Sequence, residues 1–442
     1  MKTFAIGGVH PQENKFSASS PTEVLPIPAK VFIPLSQSLG VPSKPLVKKG
    51  DEVKIGQLIA TGEALISSNL HSPVSGKVEK VDDYIDASGY RRPAIFITVE
   101  GEEWMPEIDT SPDFIGEITL EGPAIIEKIK EMGIVGMGGA TFPTHVKLMI
   151  PPGKKAEYLI INGVECEPYL TSDHRLMLEK PAEMITGIRL LMKALGVEKA
   201  IIGIENNKPD AIELLSKTAA DYPGIEVVPL KVKYPQGGEK QLIAALTGRE
   251  VPSGKLPIEV GCVVQNVGTA FAVYEAVQKN KPLIERIVTV TGSNISQPSN
   301  FLVRIGTPII TLLEKAGWNP EKAGKIINGG PMMGKALFSP EVPVVKGTSG
   351  ILVLNRDEAY REKTEPCIRC AKCISVCPMG LQPYLLARVS EIGRFDIAEN
   401  EYILDCIECG SCQYTCPSAR PLLDHIRLGK YKVNQIIRSR KN

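Results

Sequence analysis

The 442-residue chain is short of several things that would class it quickly. No stretch reaches the ~18 uninterrupted apolar residues of a membrane span. Aromatic residues make up only 5 %, and 51 Lys+Arg against 50 Asp+Glu leave a net charge of +1. A chain so nearly neutral has no global field to steer it toward nucleic acid. The opening residues, Met1 to Val9, lack the basic-then-apolar pattern of a signal peptide. The expectation is a chain that works in the cytoplasm, or on the cytoplasmic face of a membrane through partners. Cysteine is missing from most of the sequence: eight of the ten lie between 367 and 416, and only Cys166 and Cys262 stand apart. A secreted scaffold would spread its cysteines through a short chain, whereas clustered cysteines in a cytoplasmic chain point to metal.

The length suggests about three domains, and the pattern divides further into a multidomain α/β chain. Residues 1–30, rich in Pro, Ser and Gly, read as an extended arm. Residues 31–105 carry short strand and turn signals, as in Val47–Gln57 and His71–Val78. They resemble the β-sandwich of lipoyl and biotinyl carriers, but Ile66 stands at the hairpin tip where a carrier has its lysine, so the role expected is structural. An acidic, proline-containing linker leads to 120–275, where helices alternate with continuous apolar strands such as Tyr158–Asn162 and Ala200–Ile204. That alternation predicts a parallel sheet covered on both faces. Residues 285–355 read as a small α+β module without evident chemistry. Residues 356–424 read as helical, with helices over Leu381–Ile392 and Phe395–Leu404. From His425 to Asn442 there are six Lys/Arg and no acid, a tail either solvated or used for docking to a partner or a membrane surface.

The sharpest signal is a spacing that occurs twice. Cys367, Cys370, Cys373 and Cys377-Pro378 form one run, and Cys406, Cys409, Cys412 and Cys416-Pro417 the other. Three thiolates one tight turn apart can grip three irons of a cubane, and the fourth cysteine of such a run ligates the other cluster. The expected ligand sets are therefore Cys367, Cys370, Cys373 and Cys416 for one [4Fe–4S] cluster, and Cys406, Cys409, Cys412 and Cys377 for the second. A zinc site would more ordinarily show two CxxC pairs.

Upstream, four segments combine glycine, amide and acid. They are Gly136–Leu148 (GMGGATFPTHVKL), Asn162–Asp173 (NGVECEPYLTSD), Tyr234–Lys240 (YPQGGEK) and Val264–Thr269 (VQNVGT). Bare glycines let backbone amides approach a phosphate or a flat ring. Acids beyond a strand's C-terminal end sit where open α/β sheets bind ligands. In this order the segments resemble the flavin- and NADH-binding subunit family of respiratory complex I, whose motifs run roughly GRGGAGFPTGxKW, NADEGEPGTFKD, YxCGEE and VNNVET. With the carrier-like sandwich before them and the two cysteine runs after, essentially residues 1–430 resemble the C-subunit family of Rnf-type complexes, the ion-translocating ferredoxin:NAD oxidoreductases.

The resemblance implies a Rossmann-like FMN/NAD domain, a ubiquitin-like 285–355 module and a helical two-cluster ferredoxin domain. It implies NAD(H) and a noncovalent FMN as cofactors beside the two clusters. Membrane and peripheral subunits of such a complex would be the partners, with ferredoxin an indirect one and nucleic acid not among them. Carried over by position, Gly136, Gly138, Gly139 and Ala140 would line the FMN phosphate and ring, and Lys147 would meet the flavin. Asn162 and Glu165 match polar residues on the flavin and nicotinamide sides, with Glu165 and Glu167 the acids nearest the chemistry. Tyr234, Gly237, Gly238, Glu239, Gln265 and Asn266 would complete the pocket. The chain departs from the family where two motif arginines fall on Val135 and Met137 and where an aspartate is Val164. Those departures motivate an alternative, a relay with clusters but no working flavin site. The flavin subunit of a soluble NAD-linked hydrogenase or formate dehydrogenase is another. Left to bland readings, Lys147 is a surface lysine, the two acids are ordinary strand ends, and Cys166 and Cys262 are small core residues.

Overall fold

The computed structural model describes residues 1–440. Near its centre is a four-stranded, all-parallel sheet in the order Ile225–Leu230, Ala200–Glu205, Tyr158–Asn162, Cys262–Asn266. Ala200–Glu205 is buried at every residue, which is why it is apolar without alternation up to its last residue, Glu205. Helices Pro181–Leu195 and Val267–Gln278 pack on one another so closely that a Cβ on Gly187 would lie 1.9 Å from the Ala270 carbonyl oxygen. Four apolar side chains of the two central strands, Leu159, Ile161, Ile202 and Ile204, are fully enclosed, each contributing about 1.5–3 kcal/mol.

Before this domain, two small sheets face each other. Lys30–Pro34, Arg91–Val99, Gly76–Ile85 and Glu52–Val53 form one, and Lys44–Pro45, Leu58–Thr61 and Leu70–His71 the other. The tip with Ile66 is not a free end. Val41 N–H donates to the Ile66 carbonyl (3.0 Å), and Asn69 Nδ2 donates to the Glu131 carbonyl (3.1 Å) at the end of helix Gly122–Glu131. After the α/β domain comes a six-stranded sheet containing Glu285–Thr291, Ser299–Arg304, Ala323–Asn328 and Gly350–Asn355, with Thr22–Val24 of the arm added in parallel at its edge. The arm is therefore integrated into the fold.

Two sequence expectations change in the cysteine-bearing domain. The helix expected over Phe395–Leu404 ends at Asn400, because Tyr402 turns left-handed (φ 57°) before a short 3-10 turn at Ile403–Asp405. The basic segment from His425 is no tail over its described part: it is the body of helix Leu422–Ser439. Leu422, Leu423, Ile426 and Val433 of that helix are buried, and Leu422, Ile426 and Val433 share a core with Leu386 and Ala387 of helix Pro383–Glu391. Lys441 and Asn442 lie outside the described residues.

Candidate functional site

The site forms where strands Tyr158–Asn162 and Cys262–Asn266 end together, with Asn162 and Asn266 in register. The glycine segment folds over these ends, held by Gly136 N–H donating to the Phe142 carbonyl (2.9 Å) and Met137 N–H to Thr269 Oγ1 (3.0 Å). A Cβ on Gly138 would stand 3.0 Å from the Asn266 side chain, which would have to give way by a few tenths of an ångström; at Gly139 the corresponding space is open. Gly138, Gly139 and Ala140 are exposed. Asn266 caps helix Val267–Gln278 by accepting from Gly268 N–H (2.8 Å), and its Nδ2 donates to Asp173 Oδ2 (2.7 Å) and the Asn162 carbonyl (3.3 Å). Beside it the Gln265 amide nitrogen is buried without a hydrogen-bond partner among the described residues. Such an orphan donor costs free energy unless something accepts from it.

The third segment joins the first two. Asn162 Nδ2 donates to the Gly237 carbonyl (2.9 Å), and Gly237 N–H points at Cys166 Sγ (3.3 Å). Lys147 is not a free surface lysine: its ammonium bonds Glu239 Oε1 (2.8 Å) and the Val264 carbonyl (3.1 Å). Gly238 precedes helix Glu239–Thr247, with Glu239 in its first turn, where a carboxylate favours the helix dipole. Val135 and Met137 point into the core, so the places of the two motif arginines have no room for an unpaired charge. Cys262 is core, as the bland reading had it, whereas Cys166 is half-buried and accepts a hydrogen bond.

The two acids do different structural work. Glu165, left-handed at φ 47°, folds its carboxylate onto helix Ser172–Glu179, accepting from Asp173 N–H (2.8 Å), His174 N–H (3.1 Å) and Ser172 Oγ (3.3 Å). Glu167 turns the other way, toward the Met332 and Met333 amides (3.2 and 2.6 Å) of the 285–355 module. Burial pushes its carboxyl up to about 7 against the pull of those two amides. Burial together with the nearby Glu165 likewise raises Asp173 to about 7. Tyr234 is buried; its hydroxyl donates to the Cys409 carbonyl (2.8 Å) and lies 3.5 Å from Glu167 Oε1. Tyr234 thus ties the glycine-and-acid segments to a cysteine loop.

Two hollows lie among the cysteines. One is lined by Cys377, Cys406, Cys409 and Cys412, and otherwise mostly by apolar groups such as Leu386 and Ile426. The other is lined by Cys367, Cys370, Cys373 and Cys416, with Arg388 and Arg420 beside them. In each, the fourth cysteine comes from the opposite run. Both loops place left-handed residues on either side of the second cysteine: Arg369 and Ala371 in one, Glu408 and Gly410 in the other. Among the described residues no three His, Cys, Asp or Glu side chains draw together as around a single metal ion; the four thiols of each hollow ring a larger space. Four thiols and a largely apolar lining suit a cubane cluster.

Sequence reasoning overlooked several enclosed charges at this site. Lys15 of the arm reaches under the acid-bearing loop. Lys208 donates to the Val164 carbonyl (2.8 Å). Arg286 is buried facing Asp173, and Lys346 bonds the Asn69 and Gly133 carbonyls (both 2.7 Å). A lone lysine or arginine outside a motif carries no local signal. Only the burial of its neighbours would have marked it.

Comparison with known proteins matches these regions one by one. Residues 129–275 match the Nuo51 FMN-binding domain, 3–102 the RnfC barrel sandwich hybrid domain, 287–336 the SLBB domain and 359–417 a 4Fe-4S dicluster domain. Among relatives, the chain is 49 % identical over 97 % of its length to the C subunit of the proton-translocating ferredoxin:NAD(+) oxidoreductase complex of Clostridium ljungdahlii, of which it spans 93 %. It is 46 % identical over 97 % of its length, and 96 % of the relative's, to the Na(+)-translocating counterpart of Acetobacterium woodii. It is 42 % identical over 98 % of its length to the C subunit of the ion-translocating oxidoreductase complex of Rhodobacter capsulatus, of which it spans 84 %. A hybrid barrel, an FMN-binding α/β domain and a cysteine-rich domain, in one order and over nearly the full length, place this chain in the family of C subunits of ion-translocating ferredoxin:NAD oxidoreductase complexes.

Proposed function

We propose that this chain is the NAD(H)-binding redox subunit of such a complex, passing electrons between NAD(H), FMN and two [4Fe–4S] clusters. The observation that carries the reading is the convergence of four separate segments on the ends of two parallel strands, one of them tied through Tyr234 to Cys409. When bound, the flavin would exchange two electrons with a nicotinamide and single electrons with iron–sulfur centres. The orphan Gln265 amide and the open space at Gly139 fit a ligand with acceptor groups and a flat body. The residues that would hold it are Gly136, Gly138, Gly139, Ala140, Asn162, Gly237, Gly238, Gln265 and Asn266. Lys147 and Glu239 would close the pocket as an ion pair, and Glu165 and Glu167 would stand at its rim, fixing the loop between them.

The cysteine sets keep their crossed assignment. The quartet of Cys377, Cys406, Cys409 and Cys412 is the one tied to the flavin side. The quartet of Cys367, Cys370, Cys373 and Cys416 opens toward solvent, with Cys367 and Cys370 exposed, so it faces the electron partner. No helix among the described residues is long and apolar enough to cross a membrane. Attachment at the cytoplasmic face would therefore run through membrane and peripheral subunits, with ferredoxin an indirect partner.

The test is an anaerobic NADH titration of the purified chain supplied with FMN, followed optically and by EPR, with iron counted on the same sample. Bleaching of the flavin band in a sample holding about eight irons, as two cubanes require, is the expected result. A sample with full iron that takes up no FMN would reduce the chain to a relay.

A further inference from the structure

The loop from Gly163 to Leu170 carries both acids, and its underside is unusual. Four of its carbonyl oxygens turn inward onto two enclosed lysines. Lys15 of the N-terminal arm donates to the carbonyls of Glu165 (2.8 Å), Glu167 (2.9 Å) and Leu170 (2.7 Å). Lys208 donates to the carbonyl of Val164 (2.8 Å). An ammonium has three donors, and those of Lys15 have three acceptors, all in one loop. The arm follows the loop on both sides of this residue: Tyr169 N–H donates to the Glu13 carbonyl (2.8 Å), Phe16 meets the Tyr169 ring edge-on, and Ser17 Oγ pairs with Thr171 Oγ1 (2.6 Å).

The consequence follows from peptide geometry. In a planar trans peptide the N–H of one residue points opposite to the C=O of the residue before it. With the carbonyls of Val164 and Glu165 drawn inward, the amides of Glu165 and Cys166 face away from the lysines. Neither amide has a backbone acceptor among the described residues. Successive free amides make a concavity suited to an electron-rich edge, and an enclosed cation behind them favours negative charge in front. Left-handed φ at Glu165 and Tyr169 costs free energy and persists only where neighbours enforce it.

We propose that Lys15 is a positioning residue of the cofactor pocket. With Lys208, it holds the 163–170 loop so that the Glu165 and Cys166 amides are presented to the electron-rich edge of a bound flavin. The assignment rests on the functional reading above, and it deepens that reading by making the arm part of the site.

The experiment uses the full chain with its iron, supplied with FMN, in three forms: wild type, Lys15→Met and Lys15→Arg. The readouts are FMN affinity by fluorescence quenching and the flavin midpoint potential. Lys15→Met should keep its iron, bind FMN about tenfold more weakly and show a lower potential, while Lys15→Arg, which keeps the charge, recovers most of both. Should Lys15→Met fail to hold iron, Lys15→Gln is read by the same two measurements. Wild-type affinity and potential in the charge-free variant would overturn the role of Lys15 and leave the functional reading intact. A wild-type chain that binds no FMN would sink both.

Discussion

Glu167 shows how one side chain can bind three parts of the molecule and remain sensitive to pH. It accepts from two amides of the 285–355 module and stands beside the Tyr234 hydroxyl, which in turn reaches Cys409. Its carboxyl rises from 4.5 to about 7 on folding, chiefly by burial. The folded state therefore binds more protons than the unfolded one across that window. The stability this group contributes is present below about pH 4.5 and is lost as pH rises through about 7. The two amides use different carboxylate oxygens, so Glu167→Gln keeps an acceptor for one of them, gives up the other by an amount that does not vary with pH, and removes the titration. The melting temperature of the variant, compared with wild type, should therefore gain steadily between about pH 5 and about pH 8; a constant difference would rule the account out. At this scale the sequence was half legible. Position after a strand marked Glu165 and Glu167 for the site, but not that one would cap a helix and the other clamp a distant turn, since both partners are remote or depend on loop conformation.

Among the elements, helix Leu422–Ser439 was the least legible. Its basic residues dominate the composition, while the buried Leu422, Leu423, Ile426 and Val433 form a narrow stripe easily lost among them. Gly429 sits on that stripe, where a Cβ would come within 2.0 Å of Ser390 Oγ on the neighbouring helix. Gly429→Val should push the two helices apart and cost about 1–3 kcal/mol by overpacking. Denaturant unfolding followed through the iron–sulfur absorbance measures it, and an unchanged midpoint would mean the helix packs less tightly than described. Elements with a strong period were read nearly to their ends. The strand Tyr158–Asn162 has the bounds expected, and the strand expected over Ala200–Ile204 runs one residue further, to Glu205. The helix after Phe395 was overextended because Tyr402, a residue without turn preference, takes the left-handed conformation.

For the whole molecule, the succession of regions was legible because each has its own period or motif. Their mutual attachments were not. The arm pairs with Tyr234 through Val9, adds a strand to the six-stranded sheet and anchors Lys15, and such long-range contacts leave no mark in a single sequence. The crossing of the cysteine runs was expected from spacing, and each hollow is lined by three cysteines of one run and one of the other. It has a direct test in iron content. If Cys367 and Cys416 serve one cluster, Cys367→Ala combined with Cys416→Ala should still hold about four irons, as the second cubane would survive. If each run instead closes on itself, the double variant would lose both clusters.

The two hollows also differ in what can reach them. Cys409, Cys412 and Cys377 are buried, while Cys367 and Cys370 lie open on a turn beside the exposed Ile368. Thiolates are oxidised where they are accessible, so attack by oxygen or peroxide is expected first at Cys367 and Cys370. The openness that would let a partner deliver electrons at this turn would also make it the place where the chain ages in air, ahead of the buried Cys377, Cys409 and Cys412.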